Sequence, residues 1–183
     1  LTFETDVEIQ TPLATISTQN AIISDLGSNR WSASYEMQDG DTEGVIPFQI
    51  GMLTDSRGNP TEGTSSTMDG TEVTFDNTQP TLNPVTILSD NPDTEWAKVG
   101  DTVTVTFTGE ETLIAQTATI VTQSAAITDL GGQVYTAKYK MVESDPEGEV
   151  AFEIIVTDRV EIVSDPVTQT TDESLVTFDR TAP

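Results

Sequence analysis

The sequence predicts an all-β protein made of two tandem β-sandwiches, and three observations carry that prediction. Apolar residues recur with a period of two in short runs, turn-forming residues separate the runs, and the whole pattern occurs twice.

The repetition fixes the frame. Asp25-Leu26-Gly27 falls on Asp129-Leu130-Gly131, Tyr35 and Met37 on Tyr139 and Met141, and Gly44 on Gly148, at an offset of 104. Residues 1–50 set against 105–154 without a gap are identical at 20 of 50 positions. One residue is then lost, and Val73-Thr74-Phe75-Asp76 lies on Val176-Thr177-Phe178-Asp179 at an offset of 103. The chain is therefore expected to comprise 1–80, a copy lacking its first strand, and 81–183, a complete copy. Residues 81–104 have no counterpart before Leu1, so a piece of a longer tandem array is expected.

In the second copy the runs 85–89, 102–108, 117–121, 125–128, 133–141, 149–157 and 173–179 read as seven strands. Thr102-Val103-Thr104-Val105-Thr106-Phe107-Thr108 alternates hydroxyl and apolar residues, and β-branched side chains suit a half-buried pleated surface. Residues 133–141 alternate too, with Tyr135, Ala137, Tyr139 and Met141 inward and Lys138 and Lys140 outward. The first copy places Trp31, Ala33, Tyr35 and Met37 on the same inner face. Asp-Leu-Gly-Gly at 129–132 and Asp-Pro-Glu-Gly at 145–148 are turns, and no window keeps a helical period. Seven short antiparallel strands with polar outer faces describe an immunoglobulin-like Greek-key β-sandwich, here twice in tandem.

Composition excludes several functions. With 7 Lys and Arg against 31 Asp and Glu, a net charge of −24 repels phosphate and argues against nucleic acid as a partner. Without Cys or His there is no disulfide, no thiolate or imidazole zinc site and no His-dependent triad. Paired acids alone do not make a glycosidase dyad, because acids at the poles of a sandwich lack an aromatic-lined cleft. No catalytic residue is expected. No segment here is suited to membrane insertion.

The phrase Ala97-Lys98-Val99-Gly100-Asp101-Thr102-Val103-Thr104-Val105-Thr106-Phe107, the two turns and the closing Val176 to Pro183 resemble the bacterial Ig-like repeats of large adhesin-like surface proteins, similar arrays of which occur in marine algae. The resemblance covers the whole chain and implies an extracellular or cell-surface location and a role as spacer, stalk or adhesive arm. One departure is visible. The first copy reads Thr54-Asp55-Ser56-Arg57-Gly58-Asn59, the second Thr157-Asp158-Arg159-Val160-Glu161, without the Gly-Asn.

The acids give the one candidate chemistry. When seven strands alternate in direction, the first-to-second and fifth-to-sixth loops share a pole with the end of the last strand. That places Asp39, Asp41 and Glu43 near Asp76 in the first copy, with Glu110, Glu111 and Asp129 expected across the junction. In the second copy it gathers Asp90, Asp93, Glu95, Glu143, Asp145, Glu147 and Asp179. Crowded carboxylates call for protons, solvent or a bridging cation, and oxygen ligands suit Ca²⁺. Calcium stiffening the array is the expectation drawn from Asp39, Asp41, Glu43, Asp76, Asp129, Asp90, Asp145, Glu147 and Asp179; a solvated acidic surface that aids solubility is the alternative. Asp39-Gly40-Asp41-Thr42-Glu43-Gly44 mimics an EF-hand opening, but its twelfth position is Ile50 in a strand.

Other residues read structurally. Trp31 points to the core, Trp96 to a rim where it plugs a loop or offers a sugar platform, and Tyr35 and Tyr139 anchor corners by their hydroxyls. A Lys–Asn isopeptide bond is excluded in residues 1–80, which contain no Lys. Pro80 and Pro84 are expected to extend a linker over Asn77–Asn83. The leading expectation is a structural and adhesive module whose partners are adjacent repeats. A module that binds a glycan or protein through exposed loops is the alternative, and strand addition from a neighbouring subunit is a third reading.

Overall fold

The computed structural model describes residues 1–181, all of them in strands, turns and loops, with no helix long and apolar enough to cross a membrane among them. The chain divides into two compact units, Leu1–Asn77 and Thr78–Pro183. This boundary lies three residues before the expected cut at 80. The reason is local: Gln79 Nε2 donates to Val163 O at 3.0 Å, and Glu110 N donates to Thr81 O at 3.1 Å, which ties these residues to the second unit.

The first unit contains β1 (Thr2–Glu4), β2 (Ala14–Ile16), β3 (Gln19–Asn20), β4 (Ile22–Gly27), β5 (Arg30–Ser34), β6 (Gly44–Val45), β7 (Phe48–Ile50), β8 (Leu53–Thr54), β9 (Pro60–Thr61) and β10 (Thr74–Phe75). One sheet runs β1-β5-β4 and a second β3-β2-β7, while β8 pairs with β9 and β6 with β10. Ala14, Ala33 and Ile50, contributed by both main sheets, form a small core against Phe3, Ile16, Ala21, Ile23, Phe48 and Leu53.

The second unit contains β11 (Leu82–Ser89), β12 (Trp96–Ala97), β13 (Thr102–Gly109), β14 (Leu113–Ile120), β15 (Gln123–Ser124), β16 (Ala126–Gly131), β17 (Val134–Lys140), β18 (Gly148–Glu149), β19 (Phe152–Asp158) and β20 (Thr177–Phe178). The sheet β11-β13-β17-β16 faces the sheet β15-β14-β19, and β12-β20-β18 form a small third sheet. Strand β13 buries Val103, Val105 and Phe107 and leaves its threonines partly exposed, as its alternation predicts. Phe107 pairs across strands with Tyr135, their rings stacked at 5.5 Å. Val85 and Ile87 complete this layer, and Ile120, Phe152, Ile154 and Val156 face it from the other sheet. Two facing antiparallel sheets in this order are the immunoglobulin-like sandwich that the sequence predicts.

Two details differ from expectation. The closing run 173–179 is a strand only at β20, and β20 runs parallel to β12. Upstream of it, side chains stand in for most of the ladder: Val85 N donates to Thr171 Oγ1 and Ile87 N to Ser174 Oγ, each at 3.0 Å, beside one backbone bond from Thr171 N to Val85 O at 2.8 Å. Hydroxyl groups thus cover the outer edge of β11, which would otherwise offer open backbone groups. The expected linker over Asn77–Asn83 is also shorter, because Leu82 is already a buried residue of β11.

Candidate functional site

The predicted acids act first as local hydrogen-bond acceptors. Tyr35 OH donates to Asp41 Oδ1 at 3.3 Å and Gln38 N to Asp41 Oδ2 at 2.7 Å. The second unit repeats this arrangement, Tyr139 OH donating to Asp145 Oδ1 at 3.2 Å and Val142 N to Oδ2 at 2.7 Å. Burial first, and then the hydrogen bond and charge of the neighbouring carboxylate, push both tyrosine hydroxyls above their usual range. The corner anchor expected of the two tyrosines is present, and its acceptor is an Asp.

A second pair also repeats. Asn77 N donates to Glu43 Oε1 at 3.0 Å, and Arg180 N donates to Glu147 Oε1 at 3.2 Å, so a Glu holds the backbone just after the last strand of each unit. Glu147 further accepts from Thr181 Oγ1 at 2.6 Å and lies 3.7 Å from Arg180 Nε, while the Arg180 guanidinium donates to Glu143 O. The Thr181 hydroxyl foremost, then the amide and charge of Arg180, holds Glu147 below the usual carboxylate range.

Asp129 and Asp179 cap turns, and Asp90 bridges from the end of β11 to the start of β13. Asp129 Oδ1 accepts from Gly131 N at 2.7 Å, just as Asp25 accepts from Gly27 N in the first unit. Asp90 Oδ1 accepts from Thr102 N and Asp179 Oδ1 from Thr181 N, each at 2.8 Å. Asp39 is exposed and Asp76 follows β10. Among the described residues of either unit, no three of the nine predicted acids bring carboxylate oxygens within 4.8 Å of one another.

The loop after the sixth long strand differs between the copies in the partner of its leading Asp. In the first unit Asp55 Oδ1 accepts from Arg57 N and Asn59 N, and Asp55 Oδ2 accepts from Asn59 Nδ2, all at 2.8 Å. Foremost among the causes, the Asn59 side chain holds the Asp55 carboxyl below its ordinary range. In the second unit Asp158 Oδ1 accepts from Val160 N at 2.8 Å and Ile162 N at 2.9 Å. Ile162 occupies the place of Asn59, so Asp158 Oδ2 is buried without a partner. Asp158 is 0% exposed, and Glu111 brings a carboxylate oxygen within 4.8 Å of it. The sequence expectation includes Glu111 among the acids of this pole but not Asp158; the Asn-to-Ile exchange in the repeat alignment is the signal that marks it.

Trp96 is 47% exposed on β12, a rim position, whereas Trp31 is buried, and among the described residues the stacked ring pair is Phe107 with Tyr135 alone.

No family model matches the chain, and no curated protein matches it in sequence. Among the solved structures similar to it are the following two. Fibronectin(III)-like modules of Clostridium thermocellum CbhA are 14% identical with a TM-score of 0.35, over 97% of this chain and 81% of that one. A Bacteroides ovatus protein of a mixed-linkage glucan utilization locus, SGBP-B in complex with a mixed-linkage heptasaccharide, is 15% identical with a TM-score of 0.27, over 92% of this chain and 38% of that one. The immunoglobulin-like assignment therefore rests on the strand order and facing cores of the chain itself.

Proposed function

We propose that the chain is a non-catalytic module of an extracellular or cell-surface array of immunoglobulin-like repeats, serving as spacer, stalk or filament component, with adjacent repeats as its partners. The repeated closing bracket carries this reading. Glu43 with Asn77 and Glu147 with Arg180 hold the backbone at the same point of each repeat, so each copy hands the chain onward from an equivalent position. Acids used in this way shape loops without any chemistry on a substrate. Small-angle scattering on the 183-residue chain is expected to give the dimensions of an extended pair, and a compact pair would contradict the spacer role.

A second reading follows from Trp96. An indole 47% exposed on a short edge strand offers a face to a sugar ring or to a partner protein. A glycan array probed with the chain and with Trp96→Ala separates the readings: binding lost in the variant favours recognition, and no binding in either favours the spacer.

A further inference from the structure

The two copies of one loop differ in the partner of one carboxylate oxygen, and we infer from it that Glu111 and Asp158 of the second unit bind a divalent cation. The inference does not depend on the array reading. In both units the loop is built alike: Asp55 N donates to Asn59 O and Asp158 N to Ile162 O, each at 3.0 Å, and the Asp Oδ1 takes the two following amides. Gly58 and Glu161 occupy equivalent places with φ of +89° and +70°. A glutamate there keeps a left-handed turn that favours glycine, so the loop geometry persists although its sequence has changed.

What has changed is the partner of the outer carboxylate oxygen. Asp55 Oδ2 receives a hydrogen bond from the Asn59 amide; Asp158 Oδ2 receives none and has no contact with water. The residue brought beside it offers no donor in exchange. Glu111 stands where the first copy has Val7, so a second carboxylate replaces an aliphatic side chain. Gly109 allows this approach: a Cβ there would lie 2.9 Å from Glu111 O, so the short turn between β13 and β14 closes only on a glycine, where the first copy has Thr5.

A buried orphaned oxygen facing a second carboxylate is unfavourable unless positive charge lies between them. Among the described residues Asp158 takes part in no ion pair. Carboxylate oxygens of this kind, completed by water, suit a hard cation of the Ca²⁺ type.

The test is calorimetry and thermal unfolding of the full chain with Ca²⁺ against chelator, in wild type and three variants. In wild type, Ca²⁺ at about 100 times its Kd is expected to raise the second unit's Tm by roughly 10 °C. Glu111→Gln is expected to weaken binding at least about tenfold, and Asp158→Asn to abolish it. Ile162→Asn, which restores the donor of the first copy, is expected to raise the Ca²⁺-free Tm and shrink the Ca²⁺ response. Should Asp158→Asn fail to fold, the other two variants still decide. No binding heat and no Tm shift at millimolar Ca²⁺ would overturn the proposal, as would a response that Glu111→Gln and Ile162→Asn leave unchanged.

Discussion

Phe3 and Phe107 are the same residue of the same repeat, yet Phe3 is half-buried and Phe107 is 0% exposed. The difference lies in what covers them. In the second unit β11 and the first half of β13 supply Val85, Ile87 and Val103, and around them grows a core that runs from Leu82 to Phe178. In the first unit β1 is the edge of its sheet, and a groove of about 660 Å³ opens beside Ile16, Ala33, Tyr35, Met37, Val45 and Phe48. One sequence phrase thus forms a sealed core or a shallow one according to the strands beside it. Backbone pairing persists in both units, since it needs only a neighbouring strand; side-chain burial needs the complete layer.

The largest effect expected from this contrast is in the cores. Phe107→Ala should destabilise the second unit by about 3–5 kcal/mol, whereas Phe3→Ala should cost the first unit less than about 2 kcal/mol. Denaturant unfolding followed separately in each unit reads this out, and equal losses would mean that the cores are equivalent. The corner bonds should give a smaller difference. Tyr139→Phe removes a hydroxyl from a 5% exposed Asp145 and should cost about 1 kcal/mol, while Tyr35→Phe, beside the more exposed Asp41, should cost less. A cost for Tyr35→Phe equal to or greater than that for Tyr139→Phe would break the comparison.

The smallest effect concerns acid. Asp55 has a folded pKa below its unfolded one, so its contribution to stability is complete above the ordinary carboxylate pKa and is lost as pH falls through the lower folded value. Asn59→Leu should shift that loss to higher pH, bringing the first copy's loop toward the state seen at Asp158. An NMR titration of the Asp55 carboxyl measures the shift directly, and an unchanged midpoint would show that the backbone amides of Arg57 and Asn59 alone depress it.

The parts of the fold that depend on periodicity were legible in the sequence. Alternation over 102–108 foretold which side of β13 is buried, and the outward placement of Lys138 and Lys140 followed from the same rule. The closing strand was less legible, because the hydroxyls of Thr171 and Ser174 bond to the edge of β11 where a run of strand residues reads as a ladder. The acids show the limit most clearly. Topology groups them by pole, but whether a carboxylate faces another carboxylate or a backbone amide is decided over a few ångströms: Asp41, Asp145, Glu43 and Glu147 went to amides. Asp158 carries no local mark at all. Only comparison with Asp55 shows that a donor four residues on has been lost.

The parallel pairing of β12 with β20 has a consequence under force. Tension on the second unit enters at β11 and leaves after β20; once β11 has parted from β13, the load falls on the start of β12 and the end of β20, which, being parallel, are drawn in opposite directions along their common axis. Hydrogen bonds between strands loaded in this way slide together and share the load, whereas antiparallel ends pulled from one side would peel apart bond by bond. The bridges Trp96 to Thr177 and Ala97 to Phe178 therefore form a small shear latch, backed by the bond from Asp179 N to Ala97 O at 2.9 Å. In the first unit the described residues pair β10 with β6 alone. Stretched end to end, the chain is expected to yield first in its leading repeat.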